Sequence, residues 1–124
     1  MIKGIEHTAI AAADAAKLAD WYVDVLGFTV PYRSANAVFV RAGDGTMIEI
    51  IHADGQRGAD GMKVPGLRHL ALAVEDFDGA YAHLQAKNVS FRGEPAESNG
   101  NRTVFFTDPE GNILHRLYRA TPLG

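Results

Sequence analysis

Five histidines and one strand-borne glutamate are the residues of this sequence best suited to chemistry. His7 lies in the run Ile5-Glu6-His7-Thr8-Ala9-Ile10-Ala11, and His69 holds the same place in Leu67-Arg68-His69-Leu70-Ala71-Leu72-Ala73. Three residues beyond each run stands an aspartate, Asp14 or Asp76, suited to start a helix. Glu49 follows Gly45 by four residues, and His115 follows Gly111 by four. Each half of the chain thus carries one ligand-type residue on its first strand and one on its last. A single strand histidine more often packs or faces water than binds anything. Glu49, within Met-Ile-Glu-Ile-Ile, has the bland reading of an exposed residue on an amphipathic strand. Equivalent placement in two repeats is a more specific signal than any of the four alone. Imidazole and carboxylate are natural ligands of Zn²⁺, Ni²⁺, Fe²⁺ and Mn²⁺. The set His7, Glu49, His69 and His115 therefore predicts a divalent metal site. His52 has the parity opposite to Glu49, and His83 falls off the apolar face of its helix, so both are expected to be solvated.

The elements that must position these residues repeat in the same order: strand, helix, then three strands. In the first half, residues 4–11 alternate as a strand, and a helix is expected between Asp14 and Gly27. Its apolar face carries Leu18, Trp21, Tyr22, Val25 and Leu26, opposite Lys17, Asp20 and Asp24. Residues 28–33, 37–42 and 46–51 read as strands, with Asp44-Gly45 as a hairpin turn. In the second half, 67–74 reads as a strand and 77–87 as a helix that Asn88 can end. Residues 89–93, 102–107 and 112–118 read as strands, and Asp108-Pro109-Glu110-Gly111 as a turn without a catalytic role. Residues 94–101 read as a loop. The expected organisation is one domain over 1–124: module one at 1–54, a linker at 55–66 and module two at 67–119. Strand parity places His7 with Ile5, Ala9 and Ala11, and Glu49 with Met47 and Ile51, while Ile48 and Ile50 face the helix.

Composition narrows the function classes. The chain has 124 residues, 47% of them apolar and 22% charged, as an ordinary globular domain has. The absence of cysteine removes disulfides, thiolate metal sites and cysteine nucleophiles. A net charge of −3 offers no basic footprint for nucleic acid. Apolar runs fall far short of the roughly 20 residues that span a bilayer, and the N-terminal residues show no signal-peptide layout. A soluble cytoplasmic protein with no nucleic-acid partner and no membrane partner is expected.

These motifs resemble those of the vicinal oxygen chelate superfamily, the glyoxalase, bleomycin-resistance and extradiol-dioxygenase group. The resemblance covers about residues 3–119. It rests on Ile5-Glu6-His7, on Trp21-Tyr22-Val23-Asp24-Val25-Leu26-Gly27-Phe28, on Leu67-Arg68-His69-Leu70-Ala71, and on Phe106-Thr107-Asp108-Pro109-Glu110-Gly111-Asn112. It implies an α+β fold: two βαβββ modules form a curved mixed sheet around a cleft, with the helices outside and a metal within. Metal ligation carries over to His7, Glu49 and His69, which match the glyoxalase I pattern. His115 departs from it, since most metal-binding relatives have glutamate there, and in glyoxalase I that glutamate is also a base. The glutathione-site signature and the closing glutamate of the longer extradiol dioxygenases are both missing.

The chemistry this resemblance implies is chelation of two neighbouring oxygens of a small-molecule substrate by a divalent metal that stabilises an enolate. A glyoxalase I-like lyase/isomerase or epimerase is the first expectation, with Glu49 or His115 moving the proton. The alternatives are an Fe²⁺ extradiol-type dioxygenase using His7, His69 and Glu49, a non-catalytic antibiotic-binding protein, and a thiol transferase. Relatives that only sequester antibiotics generally lack the metal residues. Among other polar residues, Arg102 is the first choice for a substrate anion contact, with Arg33 and Arg41 on or beside strands. Phe39, Phe105 and Phe106 are expected in the core or the cleft wall. Exposed sheet edges and the habit of relatives point to a homodimer.

Overall fold

The computed structural model describes residues 1–59 and 61–123, and the chain divides into two compact units, Met1–Arg57 and Gly58–Gly124. The first unit runs β1 (His7–Ala12), α1 (Ala15–Leu26), β2 (Thr29–Arg33), β3 (Ala37–Arg41) and β4 (Met47–His52). Its four strands form one mixed sheet in the order β1-β4-β3-β2, with β1 parallel to β4 and the other pairs antiparallel. The second unit runs β5 (His69–Ala73), α2 (Phe77–Ala86), β6 (Ser90–Phe91), β7 (Ala96–Ser98), β8 (Asn101–Thr107) and β9 (Ile113–Tyr118). Its sheet has the order β5-β9-β8-β6, again with the outer first strand parallel to the last. The expected α+β fold is therefore present: the first unit is βαβββ with a four-stranded sheet, and the second keeps that order and adds β7 as a fifth strand beside β8.

Local chemistry explains the helix ends. Asp14 caps α1, its carboxylate accepting from Lys17 N–H at 3.0 Å. Gly27 closes the helix at φ 76°, in the left-handed region that glycine adopts at no steric cost. The Gly27 and Phe28 N–H groups then bond to the Val23 and Tyr22 carbonyls. Asp76 caps α2 in the same way through Gly79 N–H at 3.0 Å. Past its end, Asn88 takes φ 57°.

Each helix covers one face of its own sheet. Leu18 and Tyr22 of α1 are fully buried, as are Val40 and Ile50 of the sheet beneath. In the second unit Phe77 and Leu84 of α2 are buried, with Val104, Phe106 and Leu114 as their sheet counterparts. Phe106 is thus a core residue. Burial alternates around the candidate ligands: Ile48 and Ile50 are buried and Glu49 between them is not, and Leu114 and Arg116 are buried on either side of half-buried His115.

One stretch expected as a loop is a strand. Residues 96–98 pair with Thr103, Arg102 and Asn101 as an antiparallel hairpin. Its turn is Asn99-Gly100, with φ 52° and 80°, the backbone that an Asn-Gly pair favours between strands. The dipeptide is the sequence signal for it. Polar Ala-Glu-Ser adds no apolar alternation to that signal.

Candidate metal centre

The strand registers place the four candidate ligands at identical points of the two units. His7 pairs with Met47 across the parallel β1/β4 ladder, and Ala9 with Glu49. His69 pairs with Ile113 across β5/β9, and Ala71 with His115. Each histidine on a first strand therefore stands two residues along from the ligand on the last strand, on the face away from the helix. Phe39 pairs with Glu49 and Phe105 with His115, so each site pair also has a phenylalanine at the matching place on the neighbouring strand. Both phenylalanines touch the first histidine edge-on, with ring centroids 5.3 Å apart in each unit.

Turn chemistry fixes the ends of the two last strands. In the first unit Asp44 accepts from Thr46 N–H at 3.0 Å and from its hydroxyl at 2.7 Å, and Gly45 turns the chain at φ 91°. In the second, the buried Asp108 carboxylate accepts from Glu110 N–H, Asn112 N–H and Asn112 Nδ2 at 2.8–3.0 Å. Gly111 turns the chain at φ 87°. Asp108 thereby sets the start of β9 and the register that carries His115.

The two pairs differ in chemistry. In the first unit His7 Nδ1 and Glu6 Oε1 are 2.7 Å apart, while His7 Nε2 and Glu49 Oε1 are 3.7 Å apart. The second distance is too long for a hydrogen bond. It is close to the separation of about 3.4 Å between two donors that each lie about 2.1 Å from a tetrahedral ion. In the second unit the His69 and His115 rings meet at 5.3 Å, nearly perpendicular. His115 lies flat against Phe105 at 4.2 Å and 7°. Its two ring nitrogens are buried and have no hydrogen-bond partner among the described residues. Burial, then the neighbouring His69 and Arg119, push the His115 imidazole below its ordinary pKa. At neutral pH the ring is held uncharged, with a lone pair to give. A buried polar atom without a partner costs free energy, and a metal ion would remove that cost at the nitrogen carrying the lone pair. The donors present, two imidazoles and a carboxylate–imidazole pair, fit a divalent cation of the borderline class.

The structure brings the four residues together as two pairs, one in each unit. Among the described residues no group of three or more His, Asp or Glu side chains is gathered to hold a metal. Arg102 lies on the other face of β8, with Val104 and Phe106. Its Nη1 binds Asp78 of α2 at 2.8 Å, its guanidinium lies 4.5 Å from the Phe77 ring, and Glu97 is 3.9 Å from its Nε. Its side chain is engaged with helix α2 and strand β7. Arg33 and Arg41 are exposed, as are His52 and His83. Two features here go beyond the sequence expectations: the Glu6 contact, whose signal is a carboxylate next to a strand histidine, and the burial of Arg116.

The sequence profile of the Glyoxalase/Bleomycin resistance protein/Dioxygenase superfamily matches residues 4–115. The chain belongs to this superfamily. Among its relatives is the uncharacterised protein YaeR of Escherichia coli K12, 34% identical, the match spanning 89% of this chain and 92% of that protein. Human mitochondrial methylmalonyl-CoA epimerase is 27% identical over 94% of this chain and 73% of its own length. Of the solved structures, the oxidase ChaP-H2 superposes with a TM-score of 0.78 at 25% identity, covering 100% of this chain and 98% of that one. No helix among the described residues is long and apolar enough to cross a membrane.

Proposed function

We propose that this chain is a metal-dependent enzyme of the superfamily's epimerase and glyoxalase I-like lyase/isomerase kind, with His7, Glu49, His69 and His115 as its metal ligands. The observation that carries the reading is the pair of buried, unpartnered ring nitrogens on His115, at the register position that Glu49 holds in the other unit. Imidazole and carboxylate, the side chains of these four residues, are ligand types that such sites commonly use. The similarity to methylmalonyl-CoA epimerase supports the reaction class.

When bound, the metal supplies a Lewis acid that draws electron density from a carbonyl oxygen and acidifies the neighbouring C–H. The chain's part is to hold and move that proton. Glu49 is the carboxylate of the set and is the proposed base: it takes the proton from carbon and delivers it to the neighbouring carbon in an isomerisation, whereas an epimerisation needs a second group to deliver a proton to the opposite face. His115 is the competing base. It can serve only while its lone pair is not given to the metal. Phe39 and Phe105 lie edge-on against the ligand histidines.

The test is metal analysis of protein purified without added metal, then turnover of methylglyoxal hemithioacetal with each of Zn²⁺, Ni²⁺, Fe²⁺ and Mn²⁺. Solvent deuterium entering the substrate C–H position reports the base. Glu49→Gln should stop exchange while His115→Gln slows it less; the reverse order makes His115 the base. The similarity to ChaP-H2 favours a second reading, an Fe²⁺-dependent oxidase or dioxygenase built on His7, His69 and Glu49. Oxygen consumption with a catechol, and no deuterium exchange, would put that reading in place of the first.

A homodimer is part of the proposal. Strands β1 and β2 edge the first sheet and leave backbone groups to be covered. Light scattering at micromolar concentration should give twice the chain mass of 13.4 kDa. A monomer would remove this element alone.

A further inference from the structure

We infer that Glu6 is a positioning residue that fixes the tautomer of His7 and aims its Nε2 lone pair at Glu49; as a statement about metal affinity, this rests on the function proposed above. Glu6 Oε1 lies 2.7 Å from His7 Nδ1. A carboxylate only accepts hydrogen bonds, so Nδ1 must carry the hydrogen and donate it. In a neutral ring the lone pair is then on Nε2, the atom that faces Glu49 Oε1 at 3.7 Å. Two lone-pair donors facing each other across that gap repel unless a cation lies between them. Glu6 therefore prepares the first pair for a metal before any metal arrives. Metal-binding histidines generally have their second ring nitrogen held in this way.

The second unit lacks the device. The residue before His69 is Arg68, which cannot accept a hydrogen bond. Its Nη1 donates instead to the Gly61 carbonyl at 2.9 Å, within the second unit ahead of β5. His69 has only ring contacts, with Phe105 and His115, among the described residues. The repeat is thus asymmetric: one first-strand histidine is braced by a carboxylate and the other is not. Glu6 is mostly exposed, with 74% of its side chain open to solvent, so its contact contributes little to folding. Its role lies in which nitrogen of His7 is free.

The experiment uses the whole chain, metal-free, with ¹⁵N-labelled histidine. In the wild type, His7 should show a protonated Nδ1 and a pyridine-like Nε2. Glu6→Ala should move His7 to the tautomer with the hydrogen on Nε2 and leave His69 unchanged. Glu6→Gln keeps an acceptor oxygen and should restore the wild-type tautomer. In a competition titration with Zn²⁺ alone, Glu6→Ala should weaken binding about 10- to 100-fold, as loss of such a hydrogen bond to a ligand histidine does. Glu6→Gln should recover most of it. A His7 ring with hydrogen on both nitrogens near neutral pH, or a tautomer unaffected by Glu6→Ala, overturns the inference. If the wild type binds no Zn²⁺ while the tautomer still follows Glu6, the metal reading fails and the positioning role stands.

Discussion

Replacing His69 with alanine is expected to abolish tight divalent-metal binding and leave the fold intact. The two outcomes separate because His69 points away from the core. It is exposed on β5, whereas the second unit is held by Phe77, Leu84, Val104, Phe106 and Leu114 on the helix side. Alanine removes two edge-on ring interactions, with Phe105 and His115, each worth about 0.5–1.5 kcal/mol at most. The smaller residue has no difficulty at an exposed strand position, so the melting temperature should fall by a few degrees at most. Metal binding responds differently. Loss of a group that merely braces a ligand costs about 10- to 100-fold in affinity, and loss of the ligand itself should exceed that. His69→Ala should therefore bind Zn²⁺ more weakly than Glu6→Ala, with circular dichroism like the wild type. Stoichiometric metal retained by purified His69→Ala would take His69 out of the ligand set.

The features that could be read from sequence are those that depend on near neighbours. Asp14, Gly27 and Asp76 mark helix ends because a capping carboxylate or a left-handed glycine acts within four residues of where it stands. The shared face of His7 and Glu49 follows from parity once the strands are placed, since a strand alternates faces at every residue. The placement of Arg102 was not available in this way. It follows a polar stretch, and nothing nearby in the chain announces Asp78, which reaches it only because α2 packs over β8. The hairpin at Asn99-Gly100 lies between these cases. Its turn is written in two residues, but its strand Ala96–Ser98 is held by backbone pairing to β8 and carries no apolar pattern.

Strand parity also places a costly residue in the second unit. If His115 faces away from the helix, Arg116 must face it, as Ile50 does beside Glu49. The registers agree: Val38 pairs with Ile50 and Val104 with Arg116. Ile50 is fully buried and Arg116 is 3% exposed. Both terminal nitrogens of Arg116 lack a hydrogen-bond partner among the described residues, and its guanidinium lies 5.5 Å from the Phe77 ring. Burial lowers its pKa to about 10, with Asp76 opposing, so the group is still charged at neutral pH. A buried charge without a hydrogen-bonded partner is destabilising, and well-packed apolar replacements of buried ionic groups often gain about 1–4 kcal/mol. Arg116→Ile, which writes the first unit's residue into the second, should therefore raise stability by about 1–3 kcal/mol. The urea midpoint should move up with an unchanged slope. Arg116→Ala should not do so, because it removes the charge but leaves the space beneath Phe77 unfilled. An Arg116→Ile protein less stable than the wild type would show that the guanidinium, through Phe77 and Asp76, contributes more than its burial costs.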